Sequence, residues 1–140
     1  MNYTTEDFEV LIERMAPAIA KHVPAICTNP DHEMILGARL FPSAGRIAEE
    51  YARRGGHVCY FGKPYRDVYR AAFELLPGIA PSRMLMIGDS LEHDVSGAAD
   101  AGCQSLLVLT GLLARKTLSE VDDMLCRVDP QPDFIAASLA

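Results

Sequence analysis

Apolar and polar residues alternate in two recognisable rhythms along this chain. From Glu6 to Lys21, Phe8, Leu11, Ile12, Met15 and Ile19 recur at helical spacing behind the capping candidates Thr4 and Thr5, and Pro17 weakens the second half of that helix. Pro24 to Thr28 is a short apolar run that stops at Asn29-Pro30-Asp31, so it reads as a strand followed by a loop. Ser43 caps a helix over 44–54 that ends at Gly55-Gly56. His57 to Phe61 is a β-rich segment closed by Gly62-Lys63-Pro64, and Tyr65 to Leu76 is a helix that Pro77-Gly78 ends. Met84 to Ile87 is continuously apolar, as expected of a parallel strand buried on both faces, and breaks off in Gly88-Asp89-Ser90. A short helix over 94–101 stops at Gly102, and Ser105 to Leu109 repeats the buried-strand pattern before Thr110-Gly111. Residues 118–128 read as a helix and 132–135 as a last short strand. Strands alternating with helices give an α/β fold with a parallel sheet, without internal repeats or low-complexity linkers.

A length of 140 residues by itself fits one ordinary domain. Hydrophobic residues at 49%, charged residues at 23% and a mean hydropathy of +0.07 exclude a disordered, collagen-like or coiled-coil chain. Nineteen acidic against thirteen basic residues leave a net charge of −6, which offers no electrostatic footprint for nucleic acid or an anionic membrane. No apolar run approaches the roughly 18 residues of a transmembrane helix, and the acidic start MNYTTEDFEV is unlike a signal peptide, so the expectation is a soluble cytoplasmic protein. Cys27, Cys59, Cys103 and Cys126 form no CxxC pair, and Cys27 and Cys59 read as buried small hydrophobes.

Ligands of open parallel sheets bind outside the carboxyl ends of the strands, which singles out Lys63, Asp89 and Thr110. Asp94 follows Asp89 by five residues across a short loop. A lysine and two aspartates at one sheet end suit an anion held beside a hard cation. Asp89 suits a magnesium ligand, Asp94 a carboxylate that orients Lys63 or a metal-bound water, and Lys63 a counter-charge for a phosphoryl group. Taken singly, each residue is as well explained by a helix cap or a solvated turn. Their order along the chain is more specific.

That order, Gly62-Lys63-Pro64-Tyr65 and then Arg83-Met84-Leu85-Met86-Ile87-Gly88-Asp89-Ser90-Leu91-Glu92-His93-Asp94-Val95-Ser96-Gly97-Ala98, resembles the third and fourth motifs of haloacid-dehalogenase-like (HAD) phosphatases. Thr28-Asn29-Pro30-Asp31, Phe41-Pro42-Ser43-Ala44-Gly45-Arg46-Ile47 and Leu109-Thr110-Gly111 resemble the class IIA branch. The resemblance implies a Rossmann-like three-layer core with a partial parallel sheet, residues 61–140, and the second half of an α/β cap, residues 1–60. It implies a Mg2+-dependent phosphatase that acts on a small phosphorylated metabolite through an aspartyl-phosphate. On the matching positions Lys63 and Asp94 are catalytic, Asp89 binds the metal, and Asn29 and Asp31 lie with Lys63 on the substrate side. His32, beside the cap loop, is a lesser substrate-side candidate, and His93 is expected to be a loop residue without chemistry.

The chain departs from the family pattern in one respect: it contains no Asp-x-Asp, the nucleophile and acid/base pair of such enzymes. The expectation is therefore the carboxy-terminal part of a phosphatase, inactive alone, with strand edges and apolar faces that favour a homodimer or another partner. The alternative is a non-catalytic remnant that serves as a binding or dimerisation module. A receiver-like signalling domain fits the length but not the order, because Lys63 precedes Asp89.

Overall fold

The computed structural model of the protein describes residues 5–36, 39–111 and 113–139. The chain divides into two units, Met1–Gly62 and Lys63–Ala140. In the first, helix α1 spans Thr5–Ala20. Of its apolar stripe, Ile12 is fully buried and Phe8, Met15 and Ile19 are half-buried, whereas Leu11 faces outward. Pro17 does not end the helix: it lacks one i→i−4 donor, the helix continues to Ala20, and the Lys21 N–H donates to the Pro17 carbonyl at 3.3 Å. The helix closes in a Schellman motif. The Val23 N–H donates to Ala18 O and the His22 N–H to Ile19 O, with His22 in the left-handed region at φ 54°.

Strand β1, Ala25–Cys27, pairs in parallel with β4, Val58–Tyr60. Between them lie an antiparallel pair, β2 Glu33–Leu36 with β3 Arg39–Pro42, and helix α2, Ala44–Arg53. The hairpin was not legible in the hydrophobic pattern. Ser43 stands at the α2 N-cap as expected, but its side chain makes no capping bond. Helix α2 packs on α1 and β1. Its buried Tyr51 donates its hydroxyl to Val23 O at 2.6 Å, and Arg54 bridges Glu13 and Glu50, each at 2.8 Å. The hydrogen bonds from Arg53 and Arg54 hold the Glu50 carboxyl down to about 2. Cys27 is buried, as expected, while Cys59 is only half-buried because β4 has little over it.

The second unit holds α3 Arg66–Glu74, β5 Leu85–Gly88, a π-turn Leu91–Val95, α4 Ser96–Ala101, β6 Gln104–Val108, α5 Leu118–Leu125 and β7 Phe134–Ala136. The sheet is parallel in the order β5-β6-β7. Thr117 and Glu120 form a reciprocal capping box at the start of α5. Ser105 donates its N–H and hydroxyl to the Asp133 carboxylate at 2.8 and 3.1 Å and accepts the Asp133 N–H at 3.1 Å, which fixes the entry of β7.

One sheet face carries the core. Val95, Leu107 and Leu113 are buried there, with Leu91, Leu109, Met124 and Leu125 packed against them. Side chains alternate across a pleated strand, so Leu85 and Ile87 of β5, Leu106 of β6 and Phe134 of β7 share the opposite face through their in-register pairs. Leu85, Ile87 and Phe134 remain 45%, 43% and 51% exposed. The expectation of a β5 buried on both faces is thus corrected: two of its four residues, Leu85 and Ile87, stand well exposed. The α/β class with a partial parallel sheet is as expected.

Candidate active site

Strand β5 delivers Gly88-Asp89 to the carboxyl end of the sheet, and the π-turn that follows brings Asp94 back over the strand end. The path depends on Gly88, since a Cβ there would lie 2.0 Å from the Asp94 carboxylate. A single π-turn is a rare local geometry found often at functional sites. Here it arises because the Asp94 and Val95 N–H groups both reach Ser90 O, at 3.0 and 3.2 Å. Asp94 is 2% exposed. Its charge is compensated on both oxygens: Oδ1 accepts Lys63 Nζ at 2.5 Å and Oδ2 accepts the Ser90 N–H at 3.1 Å. A buried carboxylate requires such partners. The Lys63 side chain is 40% exposed while its ammonium bonds the buried acid.

Asp89 sits beside this pair in sequence and against the loop after β6 in space. A Cβ on Gly111, which has φ 55°, would come within 1.6 Å of Asp89 Oδ2. Only glycine leaves room for the carboxylate there. Thr110 lies in the same loop and accepts the Leu113 N–H at 3.0 Å.

Ser90, His93 and Tyr69 have places at this site that the sequence pattern does not single out. Ser90 caps the π-turn, its Oγ accepting the His93 N–H at 3.1 Å, and the same Oγ lies 3.1 Å from His93 Nδ1. His93 therefore belongs to the turn that positions Asp94; a serine three residues before a histidine at a strand end was the available signal. Tyr69 of α3 is buried, and its hydroxyl has no hydrogen-bond partner among the described residues. Burial and the nearby Asp94 charge push this phenol up to about 12. A Cβ on Gly97 would meet Tyr69 Oη at 2.4 Å and Pro64 Cα at 3.0 Å, so Gly97 lets α3 and the Lys63-Pro64 turn approach α4.

Asn29 and Asp31 belong to the first unit, in the loop after β1. Asn29 Oδ1 accepts the Asp31 N–H at 3.4 Å, and Asp31 O accepts the Gly45 N–H at 3.0 Å. His32 is in the same loop, and its carbonyl accepts the Ser43 N–H at 2.9 Å. The site residues thus fall into two local groups, Asn29 with Asp31 and Lys63 with Asp89 and Asp94.

Magnesium takes oxygen donors, usually with one or two protein carboxylates among them. Asp94 is committed to Lys63 and Ser90, so a metal here would draw on Asp89 as its second carboxylate at this strand end. Among the described residues no group of three or more His, Cys, Asp or Glu side chains is placed to hold a metal. These residues do not fit a self-contained magnesium site.

The chain is similar to known proteins over nearly its whole length. The family model described as HAD-hydrolase-like matches residues 60–140. The ribonucleotide monophosphatase NagD of Escherichia coli K12 is 28% identical over 131 residues, covering 93% of this chain and 48% of the relative. Human glycerol-3-phosphate phosphatase is 31% identical over 122 residues, 81% of this chain and 36% of the relative. The crystal structure of a haloacid dehalogenase-like hydrolase from Brucella suis 1330 superposes with a TM-score of 0.74 at 31% identity, covering 99% of this chain and 51% of that one. The chain thus spans about half the length, or less, of the relatives it matches. With the Gly-Lys-Pro turn, the Gly-Asp-x-x-x-x-Asp strand end and this span of similarity together, the chain belongs to the HAD-like hydrolases, on their class IIA branch.

Proposed function

We propose that these residues form part of a phosphatase that hydrolyses a small phosphomonoester. The observation that carries the reading is the Lys63–Asp94 pair, a partly exposed lysine held by a buried carboxylate at the mouth of a parallel sheet beside Asp89. Relatives named as phosphatases of ribonucleotides and of glycerol 3-phosphate support the substrate class. In this reading Lys63 neutralises the phosphoryl oxygens, Asp94 fixes its position, and residues 61–140 contribute to the catalytic core. Residues 1–60 act as part of a cap, with Asn29 and Asp31 toward the substrate.

Magnesium is the proposed cofactor and Asp89 the one donor these residues would give it; no step of the chemistry is derived through it. The nucleophile of the proposed aspartyl-phosphate route is an Asp-x-Asp, a pattern that these 140 residues do not contain. We therefore expect the chain alone to be inactive. A cytoplasmic location and self-association through uncovered faces belong to the same proposal; among the described residues no helix is long and apolar enough to cross a membrane. A second reading, a non-catalytic module that keeps the fold, is favoured by the same lack of an Asp-x-Asp among these 140 residues.

The test is an assay with 4-nitrophenyl phosphate and Mg2+ on the 140-residue chain and on a longer chain carrying an Asp-x-Asp segment ahead of residue 1. Turnover only in the longer chain, lost in Lys63→Met and Asp89→Ala, is the expected result. Turnover by the 140 residues alone, abolished by Asp89→Ala, defeats the expectation of inactivity. A longer chain that stays inert favours the non-catalytic module.

A further inference from the structure

The π-turn that carries Asp94 is bracketed by a serine at each end. At its start the Ser90 carbonyl accepts two N–H groups, from Asp94 at 3.0 Å and from Val95 at 3.2 Å, while the Ser90 N–H donates to Asp94 Oδ2 at 3.1 Å. The Ser90 hydroxyl accepts the His93 N–H at 3.1 Å and has its own proton to give to His93 Nδ1, also 3.1 Å away, in the tautomer protonated on Nε2. At the far end the Leu91 carbonyl accepts the Ser96 N–H, and the Ser96 hydroxyl donates to the same carbonyl at 3.1 Å.

These contacts select between two backbone paths. In an α-helix each N–H bonds the carbonyl four residues back, so the Val95 N–H would leave Ser90 O for Leu91 O. A carbonyl oxygen has two lone pairs, and on Leu91 both already face donors of Ser96. The α path is thereby blocked at its first acceptor. Each residue of an α-helix turns through about 100°, so removing the extra residue of the π-turn would rotate Asp94 relative to the end of β5 and draw its carboxylate off Lys63.

We infer that Ser90 and Ser96, with His93, are positioning residues that hold this turn in its π form and so keep Asp94 on Lys63. The inference rests on the phosphatase reading for what the held lysine does, which is to meet a phosphoryl group. The holding itself is geometry within the second unit. A role in helix capping alone would cost stability and leave the reactivity of Lys63 as it is.

The experiment is acylation of the 140-residue chain with an N-hydroxysuccinimide ester, read by mass spectrometry at its three lysines, Lys21, Lys63 and Lys116. Lys21 and Lys116 are internal references, and amide NMR spectra establish that each variant folds. An ammonium held by a buried carboxylate acylates slowly, and Asp94→Asn supplies the rate of the released lysine. Loss of one capping hydrogen bond shifts a local equilibrium by about fivefold, so Ser90→Ala and Ser96→Ala should each raise the Lys63 rate by that factor with the reference lysines unchanged. Ser90→Thr keeps the hydroxyl and should stay within about twofold of wild type. Ser96 lies in α4, where alanine is the better helix former, so a faster Lys63 in Ser96→Ala does not come from a weaker helix, and this variant decides the matter if Ser90→Ala does not fold. Folded alanine variants whose Lys63 reacts at the wild-type rate overturn the inference. So does a rate that rises equally at all three lysines, which reports general loosening. Acylation involves no turnover, so failure of the phosphatase assay counts against the phosphatase reading alone.

Discussion

Tyr69→Phe removes one oxygen from the interior of the second unit, and its effect can be worked out from the surroundings of that oxygen. The phenol hydroxyl is buried, contacts the space beside Gly97 and has no partner among the described residues. A buried polar group left unsatisfied costs about 1–3 kcal/mol. The variant fills the same volume apart from the oxygen, so at pH 7, where both side chains are neutral, it should be more stable by roughly 1 kcal/mol. Urea unfolding should show the midpoint raised by roughly 0.5 M with the slope unchanged.

Alkaline pH sharpens the test. Burial and the Asp94 charge raise the phenol from 10.0 to about 12. The folded state therefore keeps a proton that the unfolded state releases. This contribution is fully present below pH 10 and is lost as pH rises toward 12, at about 1.4 kcal/mol per pH unit. The stability gap in favour of the phenylalanine variant should accordingly widen between pH 10 and 11. A variant less stable than wild type at pH 7 by more than about 1 kcal/mol, or a gap that stays constant with pH, would refute the orphan-hydroxyl reasoning.

Four further outcomes are expected. Asp94→Asn keeps the Ser90 contact but removes the charge facing Lys63, and because Lys63 is partly exposed the loss should be roughly 1–2 kcal/mol in chemical unfolding. Gly111→Ala forces a side chain into the place of the Asp89 carboxylate at a positive φ, so it should cost at least about 1 kcal/mol, with altered backbone amide shifts around Asp89 by NMR. His22→Gly relieves a left-handed residue at the end of α1 and should stabilise by about 0.5–1 kcal/mol, read as a rise in the first unit's melting temperature. Mg2+ at about 10 mM should leave the melting temperature of the 140-residue chain within about 1 °C by calorimetry, since ligand stabilisation requires concentrations above the dissociation constant.

Local physics wrote much of this fold into the sequence. Gly55-Gly56 ends α2 where a left-handed residue is needed, and Thr117 with Glu120 starts α5. The apolar run Met84–Ile87 that stops at Gly88-Asp89 marks β5, although not the face it leaves exposed. The hairpin β2/β3 escaped notice because Glu33–Leu36 and Arg39–Pro42 are separated by Gly37-Ala38, which lacks the Asn-Gly or Asp-Gly signature of tight hairpins. The end of α1 falls within one residue of the expected Lys21, although His22 occupies a position where glycine is the usual signal. The π-turn was illegible for a different reason. Helical periodicity reports side-chain faces, whereas the choice of an i→i−5 bond depends on Asp94 being drawn back to Lys63 and Ser90.

That dependence links the site's local structure to its charge. The Asp94 carboxylate is held at 2.5 Å by Lys63, which lies just after β4 in sequence, and at 3.1 Å by the Ser90 N–H at the end of β5. It can lie over β5 only because Gly88 has no side chain. Next to it, Pro64 and Tyr69 close on Gly97, one turn after Asp94. Each of these glycines yields space to one member of the same cluster, so none can be exchanged for alanine without moving Lys63, Asp94 or the helix between them. The buried orphan hydroxyl of Tyr69 follows from the same packing: the backbone approach that seats Lys63 on Asp94 leaves its phenol against Gly97, with no acceptor among the described residues. A local stability cost of this kind is expected where a fold is organised around a charged pair rather than around its core.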